Sequence, residues 1–270
     1  MKTLLIDAGN SRIKCGWADA QTGVRDPDTL AIGHGELDQL AAWLHASADN
    51  AAPQAIGVNV AGPELAHRLQ ALLQDGPGLA VHWIGSEPQA AGMRNAYINP
   101  AQLGADRWVS MIGMATHAET GLPLMLASFG TATTIDTLAL DDQGTLAFQG
   151  GLIFPGPMLM RDSLASGTAN LPMAQGAATA YPLDTHGAIT SGIAAAQAGA
   201  LLRQWREGIE RYGRAPRVFC SGGGWPIVDN EVQRTLARAQ ADLGQASEPA
   251  TWLSAPVLDG LARLTAFGGC

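Results

Sequence analysis

Basic charge is what this sequence most lacks. Sixteen lysines and arginines stand against 24 aspartates and glutamates, a formal charge of −8, so neither a nucleic acid nor an anionic membrane is an expected partner. Cysteine is scarce too. Cys15, Cys220 and Cys270 are odd in number, have no metal-type spacing, and read as buried or terminal thiols in a reducing cytoplasm. The six histidines are scattered without a ligand pattern, so a zinc site is not expected. No apolar run reaches the roughly 18 residues of a membrane span, and Met1-Lys2 leads directly into an apolar strand. The expectation is a soluble, cytoplasmic protein. Neither a Walker lysine loop nor a Rossmann glycine fingerprint occurs at the glycine turns. What remains is globular in composition, with 47% hydrophobic and 15% charged residues, and is long enough for one large domain or two mid-sized ones.

The most informative stretch is Leu4–Lys14, read as an apolar strand, Asp7-Ala8-Gly9-Asn10-Ser11-Arg12, and a second apolar-rich strand from Ile13-Lys14. Gly-Asn between two such runs is a strong turn signal, so this is a hairpin with a polar tip. Glycine lets backbone approach a ligand, and successive turn N–H groups can cradle phosphate oxygens. Ser11 could add a hydroxyl donor, Lys14 a neutralising charge, and Asp7 could hold a hydrated Mg²⁺. An ordinary Asn-Gly-type hairpin with a solvated lysine accounts for the same residues equally well.

A second copy of the pattern argues for the ligand. Leu124–Asp136 runs through an apolar strand into Ser128-Phe129-Gly130-Thr131-Ala132-Thr133-Thr134 and out along a strand. Aligning Gly9 with Gly130 sets Asn10 over Thr131 and Asp7 over Ser128. A third glycine turn, Ser221-Gly222-Gly223-Gly224, follows the apolar run Val218–Cys220. Two hairpin loops and a late glycine turn suggest a duplicated domain closing on a nucleotide, an ATP-dependent phosphotransferase.

Taken together, Asp7–Lys14, Gly104-Ala105-Asp106-Arg107, Gly130–Thr134, Gly150–Gly156 and Asp184–Gly192 resemble the type III pantothenate kinases, also called the Bvg accessory factor family. The resemblance runs from Thr3 to about Leu261. It implies an α/β actin/hexokinase/Hsp70-like fold of two similar domains with the active site between them, usually a homodimer. It implies phosphorylation of pantothenate by ATP with Mg²⁺ to 4′-phosphopantothenate, the first step of coenzyme A synthesis. Asp106 matches the base that takes the substrate hydroxyl proton, and Tyr97, Gly104, Ala105, Arg107 and Thr185 match substrate contacts, Thr185 across the dimer. Asp7 through Lys14, with Gly130, Thr131, Gly222 and Gly223, match the ATP site. From the residues alone, Asp106 reads as a helix-start acid and Thr185 as a cap. Trp225 reads either as an adenine stack or as core.

One position departs from the pattern. Where the family has an aspartate that helps hold a monovalent cation, K⁺ or NH₄⁺, this chain has Ser128, a weaker ligand for a hard cation. Other readings are a sugar or acetate kinase of the same fold, or a non-catalytic regulator that keeps the nucleotide cleft. The retention of Asp7, Lys14, Asp106 and Arg107 together argues against the regulator.

The expected layout is a first domain over residues 1–118 and a second over 119–270. Strands are expected at 29–33, 55–60, 80–84, 124–127, 133–140, 145–150, 218–220 and 252–253. Helices are expected at 35–45, 63–73, 104–117, 158–164, 189–211, 228–241 and 257–266. Polar, Gly- and Pro-containing loops are expected at 86–105 and 167–182.

Overall fold

The computed structural model describes residues 2–46, 54–118 and 121–267; Cys270 lies outside them. The first half holds β1 (Lys2–Ala8), β2 (Ile13–Asp19), β3 (Arg25–Ile32), α1 (Leu37–Ala46), β4 (Ala55–Asn59), α2 (Pro63–Asp75), β5 (Val81–Trp83), β6 (Gln89–Ala90), β7 (Met93–Asn95) and α3 (Ala105–Met114). There follow β8 (Leu124–Phe129), β9 (Ala132–Leu140), β10 (Leu146–Pro155), α4 (Pro157–Gly167), α5 (Thr185–Tyr212), β11 (Arg217–Ser221), α6 (Trp225–Asp242), β12 (Thr251–Trp252) and α7 (Pro256–Ala266). The chain divides into two compact units. Unit 1 is Met1–His117 with Leu140–Gln149 and Ala255–Cys270, and unit 2 is Ala118–Ala139 with Gly150–Ser254. Two segments expected in the second domain, 140–149 and 255–270, therefore belong to unit 1.

In unit 1, β1 to β5 form a sheet in the order β3-β2-β1-β4-β5. β1–β2 and β2–β3 pair antiparallel, whereas β1–β4 and β4–β5 pair parallel. Leu4, Ile6, Ala8, Ile13 and Cys15 are buried and pack with Leu40 of α1 and Leu65, Leu69 and Leu73 of α2. The last three recur at four-residue spacing, which gives α2 one apolar stripe toward the sheet. The other helix pair is α3 with α7. It packs closely because Gly113 and Gly260 carry no side chain; a Cβ at Gly260 would overlap the Val109 carbonyl. The polar stretch 86–105 contains the β6–β7 hairpin, and β7 pairs parallel with the start of β10 through Ala147–Arg94 and Phe148–Asn95.

Unit 2 repeats the order. Its strands run β10-β9-β8-β11-β12, with β8–β9 antiparallel and β8–β11 and β11–β12 parallel. Counted within each unit, both sheets read 3-2-1-4-5. The core beneath is Met125, Phe129, Ile135, Leu201, Trp205, Val228, Val232 and Leu236, contributed by the sheet, α5 and α6.

Several elements extend beyond their expected limits. β10 continues through Gly150-Gly151 to Pro155, because Gly151 lies flat against Ile135 and Asp136, where a Cβ would overlap both. α5 begins at Thr185, and its cap is Asp184, whose Oδ1 accepts the Gly187 N–H at 2.8 Å. Thr185 is thus the first helical residue and not the cap. α6 starts at Trp225 with a proline in its first turn, a position that suits a residue lacking an N–H.

Candidate active site

The chemistry-bearing side chains of unit 1 sit at one end of its sheet. The β1–β2 hairpin places Asp7 directly across from Lys14. Its tip, residues 9–12, is closed by the Gly9 N–H on the Arg12 carbonyl at 3.1 Å, with Asn10, Ser11 and Arg12 exposed. Ala8 and Ile13 flank the tip as buried core residues. Burial pushes the Asp7 carboxyl up to about 6, against the pull of the Lys14 ammonium and with help from the negative charge of Asp106. Two acids contributed by elements far apart in the chain therefore share one field.

Asp106 lies in the first turn of α3, and its Oδ1 accepts the Arg107 N–H at 2.8 Å. Gly104, at the cap, leaves room for that carboxylate: a Cβ there would stand 2.7 Å from Asp106 Oδ1. Ala105 opens the helix beside it. Burial raises the Asp106 pKa, while the Arg107 amide and guanidinium oppose the rise. The helix-start acid of the sequence is thus real as a local feature, and it is also a partly desolvated carboxylate whose charge raises the Asp7 pKa.

Arg107 is only 6% exposed. Its Nη1 donates to the Tyr97 hydroxyl at 3.0 Å, and its guanidinium lies over the Tyr97 and Phe148 rings at 5.9 and 5.6 Å from their centroids. A buried cation held by ring faces keeps its plane fixed and its remaining donors directed. Two supporting residues carry no local sequence signal. Phe148 packs on Tyr97 with ring centroids 5.5 Å apart. Asn95 accepts the Tyr97 N–H at 3.1 Å and donates to the Glu87 and Pro100 carbonyls at 3.3 and 3.4 Å.

Unit 2 closes its hairpin tip with backbone hydrogen bonds. The Gly130 N–H reaches the Ala132 carbonyl at 3.1 Å, the Gly156 N–H the Thr131 carbonyl at 2.9 Å, and the Gly224 N–H the Phe129 carbonyl at 2.8 Å. Gly156 and Gly222 fit only as glycines, since a Cβ at either would overlap the Gly130 or Phe129 backbone. The second, third and fourth glycine motifs therefore meet at Phe129-Gly130-Thr131, while Gly223 faces open space. Gln197 of α5, fully buried, accepts the Thr133 hydroxyl at 2.7 Å and donates to the Pro155 carbonyl at 2.9 Å. Ser128 is in register with Ser221 on one side and Thr134 on the other, a row of hydroxyls. Trp225 is buried against Phe129 at 5.7 Å, which decides for the core reading over the adenine stack. Thr185 is exposed and lines an open groove of about 870 Å³ with Met160, Leu164, Leu171, Ile189 and Ile193.

Asp7, Lys14, Tyr97, Asp106 and Arg107 thus fall in unit 1, and Ser128, Gly130, Thr131, Thr185, Gly222 and Gly223 in unit 2. Solved structures similar to the chain include an exopolyphosphatase-like protein, TM-score 0.53 at 11% identity with 100% of both chains covered. Another is the activator of the 2-hydroxyisocaproyl-CoA dehydratase from Clostridium difficile with bound ADPNP, TM-score 0.50 at 10% identity, covering 99% of this chain and 94% of that one. At such identities they speak for the fold alone, the two-part actin/hexokinase-like architecture. Sequence relatives are far nearer. Proteins named type III pantothenate kinase are 53% identical in Bordetella petrii, with 97% of each chain covered, and 50% identical in Bordetella bronchiseptica, with 98% of each covered. A third, from Burkholderia ambifaria, is 38% identical over 98% of this chain and 97% of its own. The family model for type III pantothenate kinase matches residues 3–207, and the chain belongs to that family.

Proposed function

We propose that this pantothenate kinase runs its phosphoryl transfer with Asp106 as the base, Asp7 and Lys14 as the charge-handling pair, and Arg107 with Tyr97 as the substrate clamp. The observation that carries the proposal is the shared field of Asp7 and Asp106, two carboxylates whose pKa values are both raised by burial. Phosphoryl transfer asks mainly for alignment and charge neutralisation. A carboxylate with a raised pKa is a better proton acceptor than an ordinary aspartate. In this reading Asp106 takes the proton of pantothenate's primary hydroxyl as that oxygen attacks the γ-phosphorus of ATP; the bond from that phosphorus to the bridging oxygen breaks, ADP leaves, and 4′-phosphopantothenate forms. The buried Arg107 fork suits a carboxylate such as the one pantothenate carries.

The exposed tip Asn10–Arg12 offers backbone N–H groups to phosphate, and Lys14 offers charge. Gly130, Thr131, Gly222 and Gly223 are the proposed nucleotide contacts of unit 2. The residues fit Mg²⁺. Asp7 is a partly desolvated hard-oxygen ligand next to a second acid, and such a site gains from a cation. Among the described residues no cluster of three or more His, Cys, Asp or Glu is arranged to hold a metal, so the ion would share its shell with phosphate and water, as Mg²⁺ prefers. A bound Mg²⁺ would neutralise phosphate charge. For K⁺ or NH₄⁺ the hydroxyl row at Ser128, Thr134 and Ser221 is a neutral, weak donor set, and weak binding is the expectation.

A homodimer is part of the proposal. Ile153, Met158, Leu159, Met173, Tyr181 and Leu183 are exposed apolar side chains of unit 2, more than an isolated surface needs, and Thr185 would act across that interface. Light scattering that finds an active monomer would remove it. No helix among the described residues is long and apolar enough to cross a membrane. A cytoplasmic place of work is proposed from the metabolic role of the family and from the free, buried thiols of Cys15 and Cys220. The deciding experiment is a coupled ADP-release assay with pantothenate on wild type and Asp106→Asn. The variant should lose about 10²–10⁴-fold in turnover and still bind ATP; near-normal turnover would refute the base assignment.

A further inference from the structure

Outside the residues assigned so far, one side chain reaches the first phosphate loop from a distant segment. His34 follows β3, and its Nε2 lies 2.8 Å from the carbonyl oxygen of Gly9. A carbonyl only accepts, so Nε2 carries the proton. His34 is itself held. Arg68 of α2 donates to the His34 carbonyl at 2.9 Å, and the turn around it is closed by the Gly33 N–H on Glu36 Oε2 at 2.6 Å and the Glu36 N–H on the Gly33 carbonyl at 3.1 Å.

We propose that His34 is a positioning residue for nucleotide binding: by fixing the Gly9 carbonyl it orients the Gly9–Asn10 peptide plane and aims the Asn10 N–H at phosphate. The peptide is planar and trans, so its C=O and N–H point in opposite directions. Anchoring one fixes the other. Glycine at position 9 has little intrinsic preference to hold that plane, and the tip residues Asn10, Ser11 and Arg12 are exposed.

Unit 2 supports this from an independent place. There too the segment leaving the third strand of the 3-2-1-4-5 sheet donates to a carbonyl of the hairpin tip, through the Gly156 N–H on Thr131 at 2.9 Å. By the alignment of Gly9 with Gly130 this carbonyl lies one residue further along the tip, so an imidazole in unit 1 and a backbone amide in unit 2 tie the tip down at neighbouring peptides. Local sequence gives no sign of it, because His34 and Gly9 are 25 residues apart.

The inference rests on the ATP role given to the Gly9 loop. The test compares wild type, His34→Ala and His34→Gln, whose amide nitrogen can replace the Nε2 donor. Removal of one hydrogen bond of this kind should raise the KM for ATP about 3- to 10-fold, with the KM for pantothenate and the melting temperature unchanged. His34→Gln should recover most of the loss. Calorimetry with MgATP on the same three proteins gives a second readout that needs no turnover. Unchanged ATP affinity in His34→Ala, or failure of glutamine to restore it, would overturn the proposal. A rise in both KM values together with a lower melting temperature would also overturn it, as a purely structural role. Wild type that binds MgATP but does not phosphorylate pantothenate would sink the mechanism above while leaving His34 decided by calorimetry. Wild type that does neither would sink both.

Discussion

Replacing Asp7 with asparagine should make the resting protein more stable and the enzyme inactive. The unfolded reference for an aspartate is about 3.9, and burial beside Asp106 pushes Asp7 up to about 6 in the fold. Between those values the folded chain binds a proton that the unfolded chain has released, so stability falls as pH rises through the window and the full penalty is present above it. Two pK units correspond to about 3 kcal/mol, and solvent screening at a partly exposed carboxylate reduces this to about 1.5–3 kcal/mol. The asparagine side chain keeps the shape and cannot ionise, so the variant escapes the penalty. At roughly 2–4 °C per kcal/mol for a protein of this size, Asp7→Asn should melt about 3–12 °C above wild type at pH 8 in the absence of nucleotide.

The pH dependence separates this account from a packing effect. At pH 4.5 the wild-type carboxyl is protonated in the fold and mostly ionised in the unfolded chain, and by the same linkage about a third of the difference remains. Differential scanning fluorimetry at several pH values from 4.5 to 8 reads the curve directly. A variant less stable than wild type at pH 8, or a difference that does not change with pH, would refute the reasoning. Activity should fall at least 10²-fold in the same protein, since the buried negative charge that costs stability is what makes the site attractive to Mg²⁺.

Gly260→Ala should destabilise unit 1 by about 1–3 kcal/mol despite alanine's better helix propensity, because the new Cβ overlaps the Val109 carbonyl, a clash of overpacking. As α3 carries Asp106, turnover should drop with stability, and normal thermal melting would contradict the packing argument. Ala91 has φ +49 in the two-residue turn between β6 and β7, where asparagine is favoured, so Ala91→Asn should gain about 0.5–1 kcal/mol in thermal melting; a loss would contradict it. Ser128→Asp should lower the KCl concentration for half-maximal activity, titrated against a non-binding salt at fixed ionic strength. Tight, saturable K⁺ activation in wild type, unchanged by the substitution, would refute a role for Ser128.

What the sequence made legible were the features written locally. Gly-Asn and Gly-Thr between apolar runs announce hairpins, and both hairpins are present with β1–β2 and β8–β9 in register. Asp106 at the start of an apolar helix was visible in the same way. The features that escaped depend on partners far apart in the chain. Phe148 belongs to β10 yet supports Tyr97. β7 is three residues long and acquires its identity from pairing with β10. The return of 255–270 to unit 1 follows from α7 packing on α3, a contact allowed by two glycines that look ordinary in sequence. Trp225 was open because its surroundings, Phe129 and α5, are set by tertiary packing.

The aligned glycines point to a further step. Counting back from the tips, Asp7 and Lys14 face each other in unit 1 where Ser128 and Thr134 face each other in unit 2. An ionic pair in one hairpin is replaced by two hydroxyls in the other. The repeated sheet therefore keeps its topology while the chemistry divides. Unit 1 holds the titratable groups, Asp7 and Asp106, with pKa values moved by burial. Unit 2 holds a tip closed by backbone hydrogen bonds from Gly130, Gly156 and Gly224. Backbone amides do not titrate, so the unit 2 tip itself adds no pH dependence. Placing a carboxylate at 128 would then do two things at once. It would supply a hard ligand for a cation, and it would add a titratable group to a hairpin, Ser128–Thr134, that carries none.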